Sequence, residues 1–291
     1  MAKSKQTKEL EFSVIIPSFN RPEQTAKAIS SIEQQSVQPV EIIVVDDGSQ
    51  PPLEIENTEL PIRLIRHDEN KGAAAARNTG LSAAKTDWVT FLDSDDRLKP
   101  DSLEARVDCI DPSKPYNIYG CAWTVETIDG DYLFTEFPGQ ATSPTDHLAG
   151  IWFSPGSCIF INRVRVLETA GLQDEQMRRY EDYEWFIRLS QSGFKYFPSQ
   201  IVGAILTRNR SVALDVAKQS AFYTLRKLSL QPEKHSNQRK IAAYLYLEVA
   251  AACFYNSKPV QMLYWLFLSF LKYPRLTVNL LPSARERKQC Q

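Results

Sequence analysis

This sequence has almost no excess of charge. Lys and Arg number 34 against 35 Asp and Glu, a formal net charge of −1, so there is no global electrostatic case for binding nucleic acid. Cysteine is scarce and unpatterned. Cys109, Cys121, Cys158, Cys253 and Cys290 are scattered, odd in number and without a CxxC pair. That argues against a disulfide framework and a zinc site, and for a reducing compartment. His67, His147 and His235 share no ligand spacing and are expected to be structural or exposed. Long apolar runs are missing: MLYWLFLSFL, from Met262 to Leu271, is the longest and is too short to span a bilayer as a helix. The opening residues, MAKSKQTKELE, have no apolar core, so no secretory leader is expected. No GxGxxG follows the first predicted strand, which argues against a dinucleotide-binding oxidoreductase.

What is present is an ordinary globular composition of 291 residues, 43% hydrophobic and 24% charged. It can bury a sizeable core in one large α/β domain with an appendage, or in two domains. Apolar, β-branched runs predict strands at FSVIIP, EIIVV, IRLIR and WVTFL, separated by helical patterns that include the small-residue stretch KGAAAARNTGLSAAK. Such alternation predicts a largely parallel sheet covered by helices. Asp129-Gly130 predicts a hairpin, CIFIN another strand, and YEDYEWFIRLSQSG a helix ending at Gly193. Three helical patterns follow, Asp215–Leu230, Glu233–Tyr255 and Val260–Lys272. The expected organisation is a polar tail (1–11), an α/β domain (12–212), a helical region (213–282) and a basic tail (283–291).

FLDSDDRLKP places Asp93, Asp95 and Asp96 directly after WVTFL. Like charges this close disfavour one another's ionisation. A bound divalent cation and a solvated turn with capping aspartates explain this stretch equally well on its own. The neighbouring loops add weight to the first. PSFNR, DDGS, HDENKG and DSDD follow four consecutive predicted strands, and ligands of open α/β sheets bind at the carboxyl ends of strands. Asp93 and Asp95, two residues apart, point to one side of an extended segment and suit Mg2+ or Mn2+. Asp46 and Asp47 can accept an N–H from a nucleobase, Phe19 offers a flat face for stacking, and Arg77 can neutralise phosphate. A nucleoside diphosphate carrying a metal satisfies all of these together.

VIIPSFNR, VVDDGS, NKGAAAARNTG, FLDSDD and YEDYEWFIRL, in that order between Phe12 and Ser211, resemble glycosyltransferase family 2. The resemblance implies the GT-A fold, a Rossmann-like mixed α/β sheet flanked by helices. It also implies inverting, hexosyl-type transfer from a nucleotide-diphosphate sugar, with a UDP-sugar expected, in polysaccharide biosynthesis. Pro17, Phe19 and Asn20 would form the first nucleotide loop; the family often has Tyr where Phe19 stands. Asp47, with Asp46 beside it, would accept the base N–H. Asn70, Lys71, Gly72 and Arg77 match the third element, Asp93 and Ser94 the ribose and sugar contact, and Asp95 the ligand of Mg2+ or Mn2+. Asp182 matches the catalytic base. Trp152, Gly156, Ser157 and Glu181 are its acceptor-side candidates. Without the resemblance, Glu181 and Asp182 read more simply as acids complementing a helix N-terminus; a core aromatic is the less favoured alternative for Phe19.

The chain departs from the family at LTRNRSV, where many members have a histidine. Arginine cannot ligate a metal but pairs with phosphate, so Arg208 and Arg210 are candidates for the diphosphate. The expected acceptor is a glycan or lipid-linked hydroxyl. MLYWLFLSFLKYPR, flanked by Lys258, Lys272 and Arg275, reads either as a helix packed on the catalytic domain or as a peripheral membrane contact. The expected location is the cytoplasm, with peripheral contact at the inner face of the membrane in the second case. The competing function is a nucleotide-sugar-binding protein of the same fold without turnover. A phosphorelay receiver fits poorly, because its acidic pair should follow the first strand.

Overall fold

The structure is a computed structural model that describes residues 10–55, 58–139, 148, 156–208, 213–229 and 235–274. The apolar run at the start becomes β1 (Phe12–Ser18), buried along its whole length. β2 (Glu41–Asp46) and β4 (Trp88–Phe91) flank it in parallel, and β3 (Ile62–Arg66) pairs with β2, also in parallel. Helix α1 (Pro22–Glu33), with proline in its first turn, links β1 to β2, and α2 (Ala73–Ala83) links β3 to β4. The four carboxyl ends therefore open on one edge.

Alternation along β1 builds the core on both faces. Ile15 joins Ile43, Val89, Phe91 and Trp185 on one side; Phe12, Val14 and Ile16 join Ile29, Ile32 and Leu103 on the other. The small residues of α2 let it approach the sheet closely. A β-carbon on Gly80 would lie 2.3 Å from Ile15 Cγ2.

The rest of the sheet brings more loops to the same edge. β5 (Arg97–Leu98) and α3 (Ser102–Asp108) follow the acidic turn. β6 (Asn117–Glu126) and β7 (Tyr132–Glu136) form the hairpin expected at Asp129-Gly130. β8 (Ile159–Asn162) lies antiparallel to β4, so the 3-10 turn Gly156–Cys158 before it reaches the carboxyl end of β4. α4 (Arg163–Thr169), α5 (Glu181–Gln191) and β9 (Lys195–Thr207) follow. The path through the mixed sheet is β3-β2-β1-β4-β8-β6-β9-β5, with β7 beside β6. β9, the longest strand, was not predicted: it contains Pro198 and pairs with β6 through two register breaks, and proline inside a run speaks against a strand.

Three helices close the described chain: α6 (Leu214–Ser229), α7 (His235–Tyr255) and α8 (Pro259–Lys272). They share a core with α5 through Tyr183, Ile187, Leu228, Ile241 and Leu245. Among the described residues no helix is long and apolar enough to cross a membrane.

Candidate active site

At the carboxyl edge of β1, β2 and β4 lies a cleft of about 770 Å3, lined among others by Pro17, Phe19, Asn20, Asp47, Asn70, Gly72, Arg77, Asp93, Ser94, Asp95 and Glu181. Residues as far apart in the chain as Pro17 and Glu181 meet here because parallel strands deliver their following loops to one place. Phe19 is 39% exposed at the wall, which removes the reading of it as a core aromatic.

The two aspartates after β2 have different tasks. Asp46 is fully buried. Its carboxylate accepts from the Ser49 and Leu53 N–H groups at 2.9 and 3.1 Å and from the Arg66 guanidinium. Burial works against its charge, but these donors hold it below the ordinary carboxylate range. Asp46 therefore shapes the loop from behind and is not a cleft residue, which corrects its expected nucleotide contact. Asp47 lines the cleft. It accepts from Lys71 N at 2.9 Å and Gly72 N at 2.7 Å, and pairs with His67 Nδ1 at 2.7 Å. A carboxylate has about four acceptor positions, so about one remains for a ligand. His67 is structural, as expected, with its other nitrogen on Thr79 Oγ1 at 2.8 Å. Asn20, at φ +52, ties the first loop to the second: its N–H donates to Ser49 Oγ and its side chain accepts from Gln50 N.

Arg77 is the central cation. It is buried on α2 and donates to Asp93 at 2.8 Å and Glu181 at 3.1 Å. Burial opposes its charge, but the two carboxylates hold it and raise its pKa. Its Nε is buried without a hydrogen-bond partner among the described residues. A β-carbon on Gly156 would lie 3.8 Å from that nitrogen, in ordinary van der Waals contact. Asp95 meets a second arginine: Arg21 Nη1 donates to it at 2.5 Å. Burial and Asp93 push Asp95 up, against the pull of Arg21.

Asp96 and Ser157 lie beneath this surface. Ser157 Oγ donates to Asp96 at 2.5 Å and accepts from Asp93 N at 3.0 Å, while Thr207 N donates to the other Asp96 oxygen at 3.2 Å. Burial and Asp93 drive Asp96 well up. Ser157, expected on the acceptor side, is fully buried and braces the acidic turn instead. Gly156 is half-buried near the cleft, and Trp152 lies outside the described residues.

Glu181 and Asp182 open α5, where a helix N-terminus favours negative charge. Glu181 is committed to Arg77. Asp182, half-buried, accepts from the Tyr183 N–H at 2.7 Å. Burial and then Glu181 push its pKa up to about 6, against Arg77, that N–H and Arg179. Arg208 is not at the cleft. Its guanidinium donates to Tyr255 Oη and lies over Phe134 and Tyr255, which corrects its expected place on the diphosphate. Arg210 lies outside the described residues. Sequence reasoning did not single out Arg21, Arg178 or Arg179. Arg179 lines the cleft, and Arg178 Nη1 lies where a β-carbon on Gly72 would be, 2.5 Å away. Only the proximity of Arg178 and Arg179 to Glu181-Asp182 could have pointed to them.

Comparison with known proteins identifies the family and the fold. Residues 13–168 match the family model "Glycosyl transferase family 2". An uncharacterized glycosyltransferase of Haemophilus influenzae is 30% identical over 182 residues, 62% of each chain. The amylovoran biosynthesis glycosyltransferase AmsB of Erwinia amylovora is 30% identical over 205 residues, 65% of this chain and 67% of that one. The chain thus spans about two thirds of the length of these relatives. Crystal structures of S. aureus TarS share the fold. The complex with UDP-GlcNAc superposes with a TM-score of 0.55 at 14% identity, over 92% of this chain and 90% of that one. The complex with UDP gives 0.52 at 16%, over 97% and 92%. Five ordered motifs, their meeting in one cleft and the match over more than half the residues lead to one statement: the chain belongs to glycosyl transferase family 2, a family of glycosyltransferase enzymes.

Proposed function

We propose that this protein transfers a sugar from a nucleoside-diphosphate donor, with a UDP-sugar the best fit, to a hydroxyl of a glycan or lipid-linked glycan, with inversion. The observation that carries this is the convergence of Phe19, Asp47, Arg77, Asp93, Asp95 and Glu181 on one cleft, with a carboxylate of raised pKa one residue further along α5. The UDP and UDP-GlcNAc complexes of TarS support the donor class, and the part AmsB has in amylovoran biosynthesis supports a polysaccharide-building role.

The donor set fits Mg2+ or Mn2+. Among the described residues no three side chains form a metal cluster, but Mg2+ is commonly held by one or two carboxylates together with substrate phosphates. Asp95 is the ligand in this reading, with Asp93 beside it. Bound there, the ion would supply charge neutralisation for the leaving diphosphate. Phe19 stacks on the base, and the free acceptor position of Asp47 takes a base N–H. Arg77, held between Asp93 and Glu181 in the cleft wall, supplies positive charge for the donor phosphates. Asp182 is the general base: the acceptor hydroxyl attacks the anomeric carbon, its proton passes to Asp182, and the bond to the diphosphate oxygen breaks. With a pKa near 6, Asp182 is largely ionised at neutral pH and more basic than an ordinary carboxylate. Glu181, ion-paired to Arg77, is the weaker candidate.

Calorimetric titration with UDP, GDP and dTDP, each with and without Mn2+, tests the reading. Binding of UDP that depends on Mn2+ and is lost in Asp95→Asn is the expected result. No binding of any nucleotide under any of these conditions overturns it.

A further inference from the structure

The C-terminal helices carry a surface that sugar transfer does not use. α8 has two faces. Met262 and Trp265 pack into the core shared with α5, α6 and α7, and Ser269 Oγ donates to Ala243 O at 2.7 Å, which fixes the rotation of the helix. On the opposite face Val260, Leu263, Tyr264, Phe267, Phe270 and Leu271 are 57–80% exposed. Spacings of three, four and seven residues place them in one stripe along a helix about 20 Å long. α8 contains no acidic residue. Contiguous apolar patches of this kind mark interaction surfaces.

A groove of about 980 Å3 lies at the C-terminal end of this stripe. Arg226, Arg239, Lys240 and Lys272 line it together with Tyr246 and Tyr273, with Lys240 Nζ over the Tyr273 ring, and among the described residues no carboxylate lines it. The sequence carries the same bias. After Glu248 there are six Lys or Arg and a single acid, Glu286, a net charge of +5; the first 248 residues carry −6. An apolar, aromatic stripe bordered by cations is complementary to an anionic bilayer, whose acyl boundary takes the stripe and whose phosphates take the cations. Pairing with a second copy through this face would bring like charges together, which is unfavourable.

We propose that α8 docks the protein on an anionic phospholipid surface, with its apolar stripe in the bilayer interface and the exposed Arg239 and Lys272 of the groove on lipid phosphates. The docking is independent of the donor site. Flotation of the full chain with phosphatidylcholine vesicles, with and without phosphatidylglycerol, tests it. The protein is expected to float with the anionic vesicles and much less with phosphatidylcholine alone. Phe267→Glu and Leu263→Glu, each at an exposed position and checked for a wild-type circular dichroism spectrum, should each lower the bound fraction about tenfold. Lys272→Glu should remove mainly the gain due to phosphatidylglycerol. The proposal is overturned by any of four results: no flotation with anionic vesicles, unchanged binding in both stripe variants, release by excess soluble glycerol phosphate, or a dimer in light scattering that Phe267→Glu converts to monomer. UDP titration of the same samples reads the donor site separately, so failure of one reading leaves the other standing.

Discussion

Asp182→Asn should abolish transfer and, at neutral pH, stabilise the protein. The carboxyl is pushed from 3.8 to about 6, first by burial and then by Glu181. The folded chain thus holds this proton more tightly than the unfolded chain. Between about pH 4 and pH 6 the folded state binds more protons, so the contribution to stability falls as pH rises through that window, and the full cost is present above it. The interval corresponds to ~3 kcal/mol. Water reaching this half-buried group reduces the expected cost to ~1–3 kcal/mol. Asparagine keeps the shape without the charge. At about pH 8 it should melt several degrees higher than the wild type, and the gap should close towards about pH 4, where the wild-type carboxyl is protonated. Thermal unfolding followed by circular dichroism at both pH values reads this directly. A lower melting temperature for Asp182→Asn near pH 8, or a difference that does not change with pH, would refute the reasoning. The same carboxyl sets the acid limb of kcat/KM: activity should rise with pH through about 6 as the base ionises.

Four further outcomes follow from the site. Arg77→Met leaves Asp93 and Glu181 facing each other without their cation and should cost ~3–5 kcal/mol in urea unfolding; Arg77→Lys should recover part of this but not the two-armed geometry. Ser157→Ala removes the brace between Asp93 N and Asp96 and should cost ~1–3 kcal/mol, read by the same denaturation. Gly72→Ala must hold φ +101 with a β-carbon 2.5 Å from Arg178. It should lose ~1 kcal/mol or more of stability and weaken UDP binding in calorimetry, because Asp47 is held by the Gly72 N–H. Arg21→Ala frees an Asp95 oxygen and should tighten Mn2+ binding to the donor-free protein several-fold, as followed by electron paramagnetic resonance; unchanged or weaker binding would show that Arg21 does not compete for that oxygen.

The first half of the fold was legible because β1, β2 and β4 are buried on both faces, whereas β3, at the edge of the sheet, is partly exposed. Runs such as SVII and EIIVV have no other simple interpretation, and their parallel order then predicts where the polar loops gather. The three C-terminal helices were legible from apolar spacing, within one or two residues at each end. The short elements β5, α3 and α4 were not, because two to seven residues carry too little periodicity to register. Within the site, local pattern located the acids but could not say which way each one turned. Asp46 and Asp47 are neighbours in an extended chain, so they face opposite sides; tertiary partners decide which is inside. Arg66, twenty residues away, holds Asp46, and His67 holds Asp47. Ser157 looked like a loop residue and became a brace because β8 runs antiparallel to β4 and delivers it under the acidic turn.

The same logic explains how so many carboxylates coexist in a cleft before any donor arrives. Asp93, Asp95 and Glu181 would repel one another across a partly dry space, and each would resist ionisation. The fold answers with arginines from two different elements. Arg77 on α2 spans Asp93 and Glu181, and Arg21, capping α1, meets Asp95. These are not equivalent cations. Arg77 is 10% exposed and locked between two carboxylates, so it is part of the wall. Arg21 is 39% exposed and, among the described residues, has one carboxylate partner, so exchange costs it less. In the proposed function a divalent ion bound with a diphosphate would take the Asp95 oxygen, and the Arg21 guanidinium would then be available for phosphate oxygens. The sequence places Arg21 directly after Asn20, and Asn20 is anchored at both its N–H and its side chain to the loop after β2. If the proposed exchange takes place, Arg21 would move next to a residue whose N–H and side chain are both tied to the loop after β2.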